Sequence, residues 1–277
     1  MSASSPTFDV RAYVREPVDL RPDQLDLEAM ANLPALVAGA VGHLWSVERT
    51  ILDLMRDLLV TPTHAEARVT AFLGTWAYEQ FWITESLAAV LRLGEEPTDP
   101  PDSGLGALRR IWDERVRPTV DAVRTNLLGS DVVAAHMVTG WLNTAVVALA
   151  YERLGAIAPR LRPLTAAVAP IKSRHLAFYE DEARARLSGS AGALRLARRT
   201  VTRWQWPGVR YCGHDAAAGP VRTLLADPAA RPGVRAVDAG VAALTGLGDT
   251  APLRVALGGF VKRSPVGGTA RASTRVQ

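Results

Sequence analysis

The chain has 277 residues, 48% of them hydrophobic, which is enough apolar side chain for a sizeable core and excludes a disordered or low-complexity class. Its single cysteine, Cys212, cannot form an internal disulfide, and a net charge of +4 without a recognised motif argues against nucleic-acid binding. Only 6% of residues are aromatic and β-branched alternation is scarce, so helix is the expected state through most of the chain.

The N-terminal "MSASSPTFDVRAYVREP" lacks the apolar stretch of a secretory signal, and a cytoplasmic location is expected. It belongs to a proline-punctuated arm over residues 1–33. From there, "LPALVAGAVGHLWSVERTILDLMRDLLV" spaces its apolar residues three and four apart and predicts a first long helix. Thr63 is the expected N-cap of the second, "AEARVTAFLGTWAYEQFWITESLAAVLRL", which Gly94 and the loop "GEEPTDPPDSG" terminate. "LGALRRIWDERVRPTVDAVRTNLL" is amphipathic, with an expected break before Pro118.

Residues 131–154 predict an apolar helix. Its stretch "VVAAHMVTGWLNTAVVALAY" is about a bilayer long and uncharged, but His136, Asn143 and its threonines favour a central helix surrounded by others over a membrane span. In "APRLRPLTAAVAPIKSRHLAFYEDEARARLSGS", Pro170 predicts a kink or a fresh helix start. "AGALRLARRTVTRWQW" reads as a basic amphipathic helix, and the Gly- and Pro-rich remainder ends in an expected flexible tail over 251–277. The layout is an arm (1–33), a helical domain (34–250) and that tail. The fold class is all-α, with a four-helix bundle core and additional helices attached.

Of the 32 basic residues only Lys172 and Lys262 are lysine, so a lysine here is an exception to be explained. Lys172 precedes His175 by three residues in "IKSRHLAFY", a spacing that puts both on one helix face. Di-iron bundles take one glutamate from each of two helices and a Glu-x-x-His pair from each of the other two. Spacing and flanking residues select six positions here: Glu48 in "LWSVERT", Glu79 and Trp82 in "WAYEQFW", Asn143 in "GWLNTAV", and Lys172 with His175.

On these residues, with "SRHLAFY", "WQWPG" and "RAVDAGVAALTGLGD", the chain resembles the acyl-acyl-carrier-protein desaturases of the ferritin-like superfamily over most of residues 30–250. The resemblance implies a ferritin-like four-helix bundle, a homodimer and an acidic carrier protein as partner. Against the family pattern Glu48, Glu79 and His175 match, whereas Trp82, Asn143 and Lys172 stand where a histidine and two glutamates belong. Tryptophan cannot coordinate iron, asparagine is a poor neutral substitute for a bridging carboxylate, and an ammonium puts positive charge where the metal would sit. A normal di-iron centre is therefore not expected and no metal is assigned. Lys172 instead compensates the buried charges of Glu48 and Glu79.

For Lys172 the functional roles are general acid, proton donor paired with Glu48 or Glu79, or Schiff-base amine; the structural role is an ion pair filling an abandoned metal cavity. His175 reads as a surviving ligand, an acid/base partner or a hydrogen-bonded core histidine. Trp76, Trp82 and Trp141, with Asn143, are candidates to line an apolar substrate tunnel or to be plain core. Glu180, Asp181 and Glu182 are expected in a solvated turn beside Arg184 and Arg186. Arg195, Arg198, Arg199 and Arg203 either dock the acidic carrier or form an ordinary solvated face. "CGHD" at 212–215 offers Cys and His two apart without a second pair, a weak zinc signal.

The leading expectation is a metal-free, desaturase-like enzyme of a biosynthetic pathway. It would act by non-redox acid/base chemistry (cyclisation, isomerisation or elimination) on an apolar intermediate, free or carrier-bound, with Lys172, Glu48, Glu79 and His175 as catalytic residues. One alternative is an iron-dependent desaturase or oxygenase that adds Glu152 or His136 to Glu48, Glu79 and His175. The other is a non-catalytic pseudoenzyme that binds a lipid or a partner.

Overall fold

The computed structural model describes residues 7–50, 66–94, 131–207, 209 and 213–262, and all regular structure among them is helical. Thr63, the loop after Gly94, the amphipathic segment around Pro118 and Cys212 lie outside the described residues. The chain is all-α, as composition and periodicity predict.

Helix α1 (Val10–Arg15) starts on Asp9, whose side chain accepts a hydrogen bond from the Ala12 amide. Helices α2 (Ala35–Arg49) and α3 (Ala67–Arg92) pack against each other. Among the described helices, α4 (Asp131–Ile157) and α5 (Arg162–Gly189) pack most extensively against each other. Thinner contacts join α2 to α4 and α3 to α5. Beyond them come α6 (Ala191–Thr202), α7 (His214–Leu225), α8 (Arg231–Ala242) and α9 (Pro252–Lys262).

Helix α4 is the one described helix long and apolar enough to cross a membrane, and it is wrapped by α2, α5, α6, α7 and α8, with most of its apolar window buried. It is the central helix, which explains why it is apolar on every side.

Two local expectations are corrected. Pro170 does not restart a helix: it lies inside continuous α5, on the exposed face, where the carbonyl of Ala166 that loses its amide partner meets solvent. The tail does not begin at 251. Residues 252–262 form α9, with Leu253 and Phe260 buried, and buried Asp238 of α8 accepts the amides of Leu253 and Arg254 at its start.

The N-terminal arm is packed, not loose. Val10, Tyr13, Leu20 and Met30 are buried, and the Phe8 ring meets Phe72 and Phe178 edge-on. The arm thereby covers one side of the α3 and α5 surface.

Candidate active site

Four helices each bring polar groups to one buried point. Helix α2 supplies Glu48 in its last turn, α3 supplies the adjacent Glu79 and Gln80, α4 supplies Tyr151, and α5 supplies Lys172 and His175 one turn apart. Glu48, Glu79 and His175 are fully buried and Lys172 is 2% exposed. Charged groups are almost never buried to this degree unless they are paired.

They are paired in two linked clusters. In the first, Lys172 Nζ lies 2.7 Å from Glu48 Oε1 and 2.9 Å from Oε2, with hydrogen-bond geometry to Oε2. It also donates to Gln80 Oε1 at 2.8 Å, and Gln80 Nε2 donates to Glu48 Oε2 at 3.0 Å, closing a triangle. Burial lowers the Lys172 pKa, opposed first by the charge of Glu48. Tyr151 is buried beside this pair, its hydroxyl next to the Glu48 carboxylate. Burial, then the Glu48 carboxylate, hold its phenol well above the ordinary value.

In the second cluster Glu79 receives four donors. Tyr13 Oη donates to Oε2 at 2.6 Å, the Val18 amide to Oε1 at 3.0 Å, and Arg174 pairs with Oε1 at 3.0 Å, while His175 Nε2 meets Oε2 at 2.7 Å. Burial works against the Glu79 charge, yet the hydrogen bonds from His175 and Tyr13 overcome it and hold the carboxyl below its ordinary value. Burial, reinforced by the Lys172 charge, lowers His175 to about 4 against the pull of Glu79. The ring is therefore neutral at pH 7 and donates Nε2–H to the carboxylate, leaving Nδ1 as a bare, buried acceptor without a partner. The Arg174 guanidinium also covers the Tyr13 ring at 4.5 Å, so the N-terminal arm seals this cluster.

The first cluster borders an open groove of about 820 Å³ between α4, α5 and α8, mostly apolar, whose walls include Trp141, Ala145, Leu149, Leu176 and Val237. Lys172 and Tyr151 are part of its lining, and Glu152 stands exposed at its edge.

The sequence-derived candidates divide cleanly. Glu48, Glu79, Lys172 and His175 come together. Trp76 is buried edge-on to the His175 ring and Trp141 lines the groove. Trp82 does not join them: it is half-buried under the Arg21 guanidinium at 5.2 Å and beside Tyr78 and Phe81. Asn143 is likewise elsewhere, its Oδ1 accepting from Trp204 Nε1 at 2.8 Å. Arg195, Arg198, Arg199 and Arg203 are exposed on α6 and its C-terminal end, Arg198 donating to the Gly246 carbonyl. The acidic trio is not a solvated turn. Glu180, Asp181 and Glu182 lie inside α5, where Arg68 bridges Asp181 and Glu182, and Arg184 and Arg186 pair with Glu180 and Glu182 one turn back. Sequence reasoning missed Gln80, Tyr151, Tyr13 and Arg174. Only Gln80, next to Glu79, carried a usable signal.

The donor set does not fit a di-iron centre. The Lys172 ammonium holds the position between Glu48 and Gln80, and His175 commits Nε2 to Glu79. Among the described residues no three His, Cys, Asp or Glu side chains are grouped to hold a metal ion. His136 precedes Tyr151 by fifteen positions on α4, about 22 Å along the helix axis. Compared with protein-family models, with curated proteins and with solved structures, the chain matches none.

Proposed function

We propose that the chain is an enzyme that moves protons on an apolar substrate without metal or redox chemistry, in an isomerisation, elimination or cyclisation. The observation that carries this reading is the buried Lys172–Glu48 pair at the wall of an apolar groove. An ion pair kept only for stability is readily replaced by packed hydrophobic residues and does not need to border a cavity. Lys172 is the group presented to substrate; Glu48 takes up or returns its proton, and Gln80 holds both in register. Glu79 and His175, sealed beneath the arm, orient α5 and keep Lys172 placed from behind. They are positioning residues in this reading.

The same proposal takes the pairing of α2 with α3 and α4 with α5 as the core of a ferritin-like bundle in which an ammonium has replaced the metal charge. The exposed arginines of α6 then offer a positive face to an acidic carrier delivering the substrate.

The test uses an apolar probe that reports base catalysis directly, 5-nitrobenzisoxazole, whose ring opens to a coloured phenolate when a base removes one carbon-bound proton. The wild-type protein is expected to open it at least tenfold above the buffer rate, with Glu48→Gln and Lys172→Met losing most of the gain while remaining folded by circular dichroism. A wild-type rate equal to buffer, or one unchanged in both variants, overturns the reading.

A further inference from the structure

We propose that Lys172 is a nucleophilic amine that captures an aldehyde or ketone in the groove as a covalent imine. The inference rests on the reading above for the groove as substrate site and deepens it by naming the substrate class: an apolar molecule carrying an unhindered carbonyl.

Three observations converge. Lys172 lines the groove while its nitrogen touches a carboxylate, so the acceptor for the proton it must lose to become a nucleophile is already in contact. Transfer of that proton converts a buried ion pair into a neutral amine and a neutral acid, which an apolar surrounding tolerates better than separated charges. Tyr151 lines the same groove with its buried hydroxyl beside the Glu48 carboxylate, an O–H able to turn to a carbonyl or carbinolamine oxygen when one arrives. Finally, lysine is almost absent from this chain, and arginine in its place would hold the charge equally well but cannot release a proton.

The step balances within these groups. Lys172 gives one proton to Glu48, the amine attacks the carbonyl carbon, and a C–N bond forms as the C=O π pair moves to oxygen, where Tyr151 relays a proton from nitrogen. The Glu48 carboxyl then protonates the hydroxyl, the C–O bond breaks and water leaves. The product is a protonated imine, with Glu48 a carboxylate again and nothing oxidised or reduced. The iminium keeps one N–H and the positive charge, so it stays paired with the Glu48 carboxylate and gives up the ammonium's second donation, to Gln80. Its electron demand acidifies the adjacent carbon, which is what proton movement on an otherwise apolar chain requires.

The experiment treats the full chain with decanal and sodium cyanoborohydride, then reads intact mass and peptide map, with decanol binding by equilibrium dialysis in parallel. The expected result is one decyl group on Lys172 in wild type and in Lys262→Arg, where Lys172 is the sole lysine, with labelling slowed at least tenfold by Glu48→Gln and blocked by excess decanol. Decanol bound but decyl groups only on the N-terminal amine or Lys262 overturns the imine and leaves the groove reading standing. Neither decanol binding nor Lys172 labelling overturns both.

Discussion

Lys172 and Glu48 hold each other in a place where neither is stable alone. Lys172→Met leaves the Glu48 carboxylate buried without its counter-charge, and the expected loss is about 3–5 kcal/mol of unfolding free energy. Adding Glu48→Leu to that variant restores most of it, because the pair's desolvation disappears together with its attraction. Urea unfolding of the single and double variants measures both; a double variant no better than the single contradicts the pairing.

The histidines set the acid limit at the same scale. His43, whose Nε2 accepts from Trp206 Nε1, and His175 both have pKa values near 4 in the fold against an ordinary 6.5, chiefly through burial. Between those values the unfolded chain binds protons that the folded chain refuses, so stability is full above about 6.5 and is lost as pH falls toward 4, by up to about 1.4 kcal/mol per pH unit for each group. Glu79, held below its ordinary value, adds to the loss at the acid end. The urea midpoint is expected to fall steadily from pH 7 to pH 4.5; equal midpoints at pH 7 and pH 5 contradict neutral, buried imidazoles.

At the scale of elements, helix α4 owes its central place to close approaches at glycine. A Cβ on Gly140 would enter the Tyr179 ring of α5, and one on Gly240 of α8 would enter the Trp141 ring. Gly140→Ala is expected to destabilise by roughly 1–3 kcal/mol, since a buried ring cannot yield cheaply. Gly74→Ala on α3, where nothing lies within 4 Å, is expected to stabilise by about 0.5–1 kcal/mol through helix propensity. Thermal unfolding of the two gives opposite signs if the interface is as described.

Periodicity made these helices legible, α3 nearly to the residue, but it oriented them unequally. Helix α3 buries Phe72, Trp76, Glu79, Gln80, Ile83 and Leu87, a face whose centre leaves Trp82 roughly a third of a turn away, so the Glu-x-x-His spacing points to the wrong side there. Helix α4 carries buried residues on every side, and so apolar a pattern could not reveal that Tyr151, not Asn143, reaches the charged cluster. Pro170 misled because sequence alone does not say which face of α5 meets solvent.

Across the whole molecule, the charged centre was legible through the di-iron ligand pattern, which picked out Glu48, Glu79 and His175 on separate helices and set the unusual Lys172 one turn before His175, where buried carboxylates demand a partner. What stayed hidden was supplied by tertiary closure: the arm that seats Tyr13 and Val18 on Glu79, and α8, which completes the groove wall with Gly233, Ala236 and Val237. The arm's contribution is open to test, since Tyr13→Phe removes one of the four donors to Glu79 and is expected to cost about 1–3 kcal/mol, measured by urea unfolding.

The central claim, that Lys172 is a buried, proton-exchanging amine at the groove, is tested most directly by NMR titration of protein labelled with 13Cε-lysine. Because the chain has only Lys172 and Lys262, two signals appear, and Lys172→Arg assigns them. The Lys172 signal is expected to titrate below the ordinary lysine value of 10.5 and to shift when decanol fills the groove. Two signals that both titrate at the ordinary value and ignore decanol would contradict the account.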